Sequence, residues 1–164
     1  MWVRSEYAGE LAVLSAWVCA LLPWCVSYAS QEGLRLFRIH FVYLFFQFVP
    51  GIDLGDMPFR FVHDAPGFAA NETTAFGYQL WVLGAAVFSL ALALSFVYYV
   101  YDDRLEARSP VDPVRLMGGL LVASAVLYTG ATFFVSSGFV GITVPVGVVF
   151  MYVLGGTLLF VERT

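Results

Sequence analysis

Cys25, Arg38 and His40 are the residues of this chain whose types suit covalent chemistry. A thiol attacks as its thiolate, neighbouring cations lower its pKa, and an imidazole can carry the proton. Arg60 and His63 offer a second cation and imidazole further along. Spacing alone does not bring Cys25, Arg38 and His40 together, so they stand as catalytic candidates without a named reaction. Two His and no carboxylate–His pair at helical spacing argue against a metal site, and nothing implies a cofactor. Cys19 and Cys25 would lie about 9 Å apart along one helix, too far for a disulfide, and read as small packing residues. Asn71-Glu72-Thr73 is a glycosylation sequon, with Asn71 as the acceptor.

The elements that must position these residues are set by apolar runs. Hydrophobic residues make up 60% of the 164-residue chain and charged residues only 12%, about half the share of an ordinary soluble domain. Runs over 78–101 and 114–135 are each long enough to cross about 30 Å of hydrocarbon as a helix. Adding 9–29, interrupted by Pro23, and 140–161 gives an all-α membrane protein of four transmembrane helices in a single integral membrane domain, residues 1–164. Asp112-Pro113 supplies an N-cap and a first helical residue for the third span. Residues 30–77 form the outer loop. Within it, Leu34 to Val49 carries Arg35, Arg38 and His40 and alternates with a period of two from Phe37 to Tyr43. That pattern predicts an extracytoplasmic amphipathic hairpin or re-entrant element, with 59–63 as its strand partner and a fifth transmembrane helix as the alternative.

Sidedness follows from the arginines. Arg4, Arg104, Arg108, Arg115 and Arg163 share one side of the four-span arrangement, which places the N- and C-termini in the cytoplasm. Trp24, Tyr28, Tyr78 and Trp81 then line the outer interface, and Trp2, Tyr7, Tyr98, Tyr99 and Tyr101 the inner one. Small residues recur every four positions as Ala12, Ala16 and Ala20, as Ala85, Ser89 and Ala93, and as Gly119 and Ala123. Such stripes let helices approach closely, within this chain or against a membrane protein partner or second copy. The net charge of −4 offers no basic stripe, so no nucleic acid is expected.

Several segments together carry a family resemblance: the opening Trp2-Val3-Arg4-Ser5-Glu6-Tyr7-Ala8-Gly9-Glu10-Leu11, Leu22-Pro23-Trp24, Asp112-Pro113-Val114-Arg115 before Met117-Gly118-Gly119, Pro145-Val146-Gly147 and the Val161-Glu162-Arg163-Thr164 end. The chain resembles an uncharacterised haloarchaeal family of small multi-pass membrane proteins, some encoded near archaeosortase, a transpeptidase acting on surface proteins. The resemblance implies a haloarchaeal cell membrane and supplies no activity. All eight basic residues are Arg, and the acidic, Lys-free polar segments fit a high-salt organism. The expectation is a non-enzymatic accessory or scaffolding component of the archaeal cell envelope. The alternatives are a membrane-embedded Cys/His/Arg enzyme acting on surface proteins and a small-solute transporter, the latter opposed by spans almost free of ionisable groups.

Overall fold

A computed structural model describes residues 7–31, 33–51 and 59–161. Helix α1, Ala8–Leu21, ends where Pro23 follows, because Pro lacks an N–H and forces its predecessor out of helical geometry; Leu22 is already extended. The chain then builds strands β1, Cys25–Gln31, β2, Leu34–His40, β3, Leu44–Phe48, and β4, Phe59–Phe61. Gly33, at φ 87°, supplies the left-handed backbone of the β1–β2 turn. After a 3-10 turn at Ala65–Phe68, helix α2 runs over Glu72–Arg108 and helix α3 over Pro113–Ser137. Strand β5, Ile142–Val144, precedes helix α4, Val146–Phe160. The five strands form one antiparallel sheet in the order β4-β3-β2-β1-β5.

This architecture corrects the expectation of an all-α, four-span protein. Residues 25–29 and 142–144, assigned above to the first and last spans, are strands, which leaves α1 with 14 residues and α4 with 15. Only α2, over Glu72–Asp102, and α3 are long and apolar enough to cross a membrane among the described residues. The physical reason is local: Pro23 stops one apolar helix and Pro145 delays the other, and the β-branched and aromatic residues beside them pair as strands. The segment Leu34 to Val49 forms strands, not a fifth helix, but the period of two read from Phe37 to Tyr43 marks β2 only as far as His40, and residues 41–43 are the turn to β3. The strand partners differ from expectation, because β2 lies between β1 and β3, and β4 pairs with β3.

Helix ends follow their capping residues. Asn71 caps α2, its Oδ1 accepting from the Thr74 N–H at 2.8 Å, so the helix begins six residues before the apolar run. Asp112 caps α3 through the Val114 N–H at 2.9 Å, with Pro113 as the first helical residue, as the sequence indicates. A kink at Tyr101 marks the passage from apolar to charged sequence in α2.

The bundle packs through backbone proximity. Tyr128 of α3 lies over Gly84 of α2, where any Cβ would collide with the ring. Gly118 of α3 and Gly155 of α4 meet face to face, and a Cβ at either would stand 2.8 or 2.9 Å from the other's carbonyl oxygen. Gly155→Val should therefore lower the unfolding midpoint by overpacking worth about 1–3 kcal/mol. Gly156→Ala, beside it but with nothing within 4 Å, should not; equal losses in the two variants would refute this packing.

Candidate functional site

The sheet meets the helices through its lower edge. The β2–β3 turn, residues 41–43, inserts between helices: Trp81 donates from Nε1 to the Val42 carbonyl at 2.9 Å, and the Tyr43 hydroxyl meets the Ser89 hydroxyl at 2.9 Å, deeper along α2. Beside it the Trp24 N–H donates to the His40 carbonyl at 2.8 Å, and the Gly147 N–H to the Pro23 carbonyl at 2.9 Å. These bonds bring the ends of α1 and α4 under the start of β1. Around the insertion Trp24, His40, Val42, Phe45, Tyr78, Trp81 and Tyr128 form a closed cluster, with Trp24 stacked on Tyr128 and tilted against Trp81 and His40.

Within that cluster the structure brings together two of the catalytic candidates. Cys25 and His40 are direct cross-strand partners, and Cys25 Sγ lies 3.4 Å from His40 Nδ1. Arg38, two residues along β2, shares their face. Its Nε donates to Gln47 Oε1 at 2.8 Å, Nη1 reaches the Tyr78 hydroxyl at 3.5 Å, and the guanidinium faces the Phe139 ring. No carboxylate pairs with Arg38 among the described residues. Arg60 instead stacks on Phe68, and His63 is exposed beside Asp64, so neither joins the cluster. Asp53 and Asp56, acidic residues of the 30–77 loop, lie outside the described residues, as do Trp2, Arg4, Glu162 and Arg163.

Electrostatics turn this contact away from nucleophile chemistry. Both side chains are fully buried. Burial pushes the Cys25 thiol well above its ordinary range, only partly offset by a hydrogen bond from Ser27. Burial, reinforced by the Arg38 charge, lowers the His40 pKa to about 3. At neutral pH the pair is a thiol beside a neutral imidazole. His40 Nε2, Trp24 Nε1 and the Tyr128 hydroxyl also lack a hydrogen-bond partner within the protein. Each such buried group costs about 1–3 kcal/mol if it stays unsatisfied.

The polar residues of the sheet's centre lie on the face turned to the helices. Cys25 and His40, Ser27, Arg38 and Gln47, and Thr143 share that face with Phe45, Ala29 and Leu36, and the Ser27 and Thr143 hydroxyls are 3.0 Å apart. Its outward face is apolar: Val26, Ile39, Phe46 and Val144 make one row, and Tyr28, Phe37, Phe48 and Ile142 the next.

Other residues singled out in the sequence fall as follows. Ala12 and Ala16 are fully buried, Ala20 partly; Ala85 is buried and Ser89 receives Tyr43, but Ala93 and Ala123 face outward and Gly119 is only half-buried. The close approach in α3 lies at Gly118 instead. Asn71, besides capping α2, donates from Nδ2 to the Gly138 carbonyl at 3.3 Å, so the acceptor nitrogen of the sequon already ties α2 to the end of α3. Trp24, Tyr78 and Trp81 do not form an interfacial belt; they are core. The sequence could have flagged them, since all three flank Pro23 or open the longest apolar run, but that position suits a belt equally well.

The arrangement defines a helical bundle joined to an antiparallel sheet through a buried aromatic junction. Residues 1–163 match a family of unknown function, DUF7549, and the chain belongs to it. No curated protein matches the chain.

Two outcomes follow from the junction. Because the folded state holds His40 neutral while an unfolded chain protonates it near pH 6.5, stability should be fully present above pH 6.5. It should fall progressively as pH drops below that value toward about 3. His40→Phe should flatten that part of the profile; an unchanged slope would assign it elsewhere. Water-soluble maleimide should leave Cys25 unmodified until the protein is denatured.

Proposed function

We propose that this protein is an integral membrane component of a haloarchaeal-type cell envelope, non-enzymatic and accessory or scaffolding in role. In this reading the α2–α3 hairpin crosses the bilayer, with the sheet on the extracytoplasmic side. The observation that carries it is the outward surface of the two long helices. Their most apolar stretches are only 33% and 39% buried, whereas a water-soluble protein buries the apolar stripe of a core helix. Leu83, Leu90, Val126 and Phe133 instead point outward, at more than half their free exposure. Without lipid, these side chains would stand in water along both helices.

Sidedness rests on charge. The start of α1 lies beside Tyr98 near the far end of α2, and the end of α4 lies beside Gly118 near the start of α3. The first turn of α1 and the last turn of α4 therefore share an end with the α2–α3 connection. Arg104 and Arg115 flank that connection, and an excess of arginine favours the cytoplasm.

A non-enzymatic role is supported by the state of Cys25 and His40: the contact suits a nucleophile and its base, but burial holds both neutral. The transporter alternative gains nothing, since the charged residues of α2 and α3 sit toward their ends. Alkaline carbonate should leave the protein in the membrane pellet, with release only by detergent; recovery in the supernatant would overturn the membrane reading. Cys25→Ala should leave surface-protein processing intact, and loss of processing at unchanged protein level would replace the scaffold with an enzyme.

A further inference from the structure

The sheet carries its amphipathicity inside out, and that sidedness has a consequence for the bilayer. Ser27, Arg38, Gln47 and Thr143 face the helices, while the opposite face shows two uninterrupted apolar rows. Tyr28, Phe37 and Phe48 in the upper row are exposed, and Tyr28 and Phe37 rings lie 4.8 Å apart. A sheet packed on one side ordinarily turns its apolar face to the core and its polar face to water. Here the arrangement is reversed.

The helices indicate what covers the reversed face. With 14 and 15 residues, α1 and α4 measure about 21 and 22 Å, some 8 Å short of the hydrocarbon thickness. At their upper ends the sheet begins, through the Trp24–His40 and Gly147–Pro23 hydrogen bonds. The strands rise from that buried end toward an exposed tip at Gly33, Leu34 and Arg35. At about 3.3 Å per residue, the row of Val26 and the row of Tyr28 stand about 7 Å apart and fill the missing depth. The next outward row, Ser30 with Arg35, is polar and charged. Apolar residues, then aromatics including Tyr, then Arg is the order in which a membrane protein passes from hydrocarbon through the interface to the headgroups.

We infer that the outward face of the β-sheet is a lipid-binding surface, sunk into the outer leaflet so that Val26, Ile39, Phe46 and Val144 meet acyl chains, Tyr28, Phe37 and Phe48 lie at the interface, and Arg35 reaches lipid phosphate. This rests on the membrane reading above and extends it: the sheet completes the thickness that α1 and α4 leave uncovered. Ser27, Arg38, Gln47 and Thr143 on the inward face find hydrogen-bond partners within the protein.

A photoreactive benzophenone side chain placed in turn at Phe37, Phe48, Ser30 and Leu90 tests it, in the full chain within native membranes. Adducts to phospholipid should form at Phe37, Phe48 and Leu90, and at least tenfold less at Ser30. Adducts at Leu90 with none at Phe37 and Phe48 would overturn the lipid surface while leaving the membrane reading intact, as would protein adducts at Phe37 and Phe48, which would make the face a partner interface. No lipid adduct at Leu90 would overturn both. Phe37→Asp, whose backbone pairing is unaffected, should lower the fraction retained in membranes under mild detergent.

Discussion

The insertion of the β2–β3 turn into the helical bundle is the constraint on which the rest of the structure depends. A sheet lying against helices through side chains alone could slide; this one is fixed by the Trp81 indole N–H on the Val42 carbonyl and by Tyr43 reaching Ser89. Those bonds satisfy backbone and hydroxyl groups that burial would otherwise leave unpaired. They also fix the register of the whole sheet. Once His40 sits under Trp24, its cross-strand partner must be Cys25, and a one-residue slip would send every inward side chain to the other face.

From that register the chemistry of the junction follows. Cys25 and His40 touch because the sheet is pinned, and the same pin buries them, which favours the neutral form of both. Contact between a thiol and an imidazole is the geometry of a nucleophile, but a nucleophile also needs exposure and a stabilised thiolate. Arg38, the nearest cation, is turned to Gln47, Tyr78 and Phe139, and its charge acts on His40 by keeping the ring deprotonated. Polar residues of the sheet thus gather where the protein itself supplies partners.

How much of this could be read from the chain divides along physical lines. Asp112-Pro113 announced the start of α3, and the alternation from Phe37 announced a strand, because caps and period-two patterns are local; the alternation ran on to Tyr43, past the strand's end at His40 and through the turn. The strands β1 and β5 were hidden. Each is short, sits next to a proline, and continues an apolar run, so composition alone merges it with the neighbouring helix. The Cys25–His40 contact depends on pairing across the turn at Gly33, and register is a tertiary property that residue types at that spacing do not express. The sequence carried the small-residue stripes in part only: Ala12 and Ala16 lie in the core, but the tight crossing uses Gly118 and Gly155, one position away from the stripe through Gly119. A four-residue repeat cannot say which of two adjacent small residues faces inward when the partner helix crosses at an angle.

The central claim is that lipid, not water, covers the outward side of α2. The most direct measurement is the collision rate of a nitroxide placed at Leu90, midway along that helix and 61% exposed, with molecular oxygen and with a water-soluble nickel complex in reconstituted bilayers. Oxygen concentrates in hydrocarbon and nickel does not enter it. A bilayer-embedded helix requires collisions with oxygen to dominate at Leu90 and to give way to nickel toward Arg104. Dominant collisions with nickel at Leu90 would mean that water bathes this face, and would contradict the account.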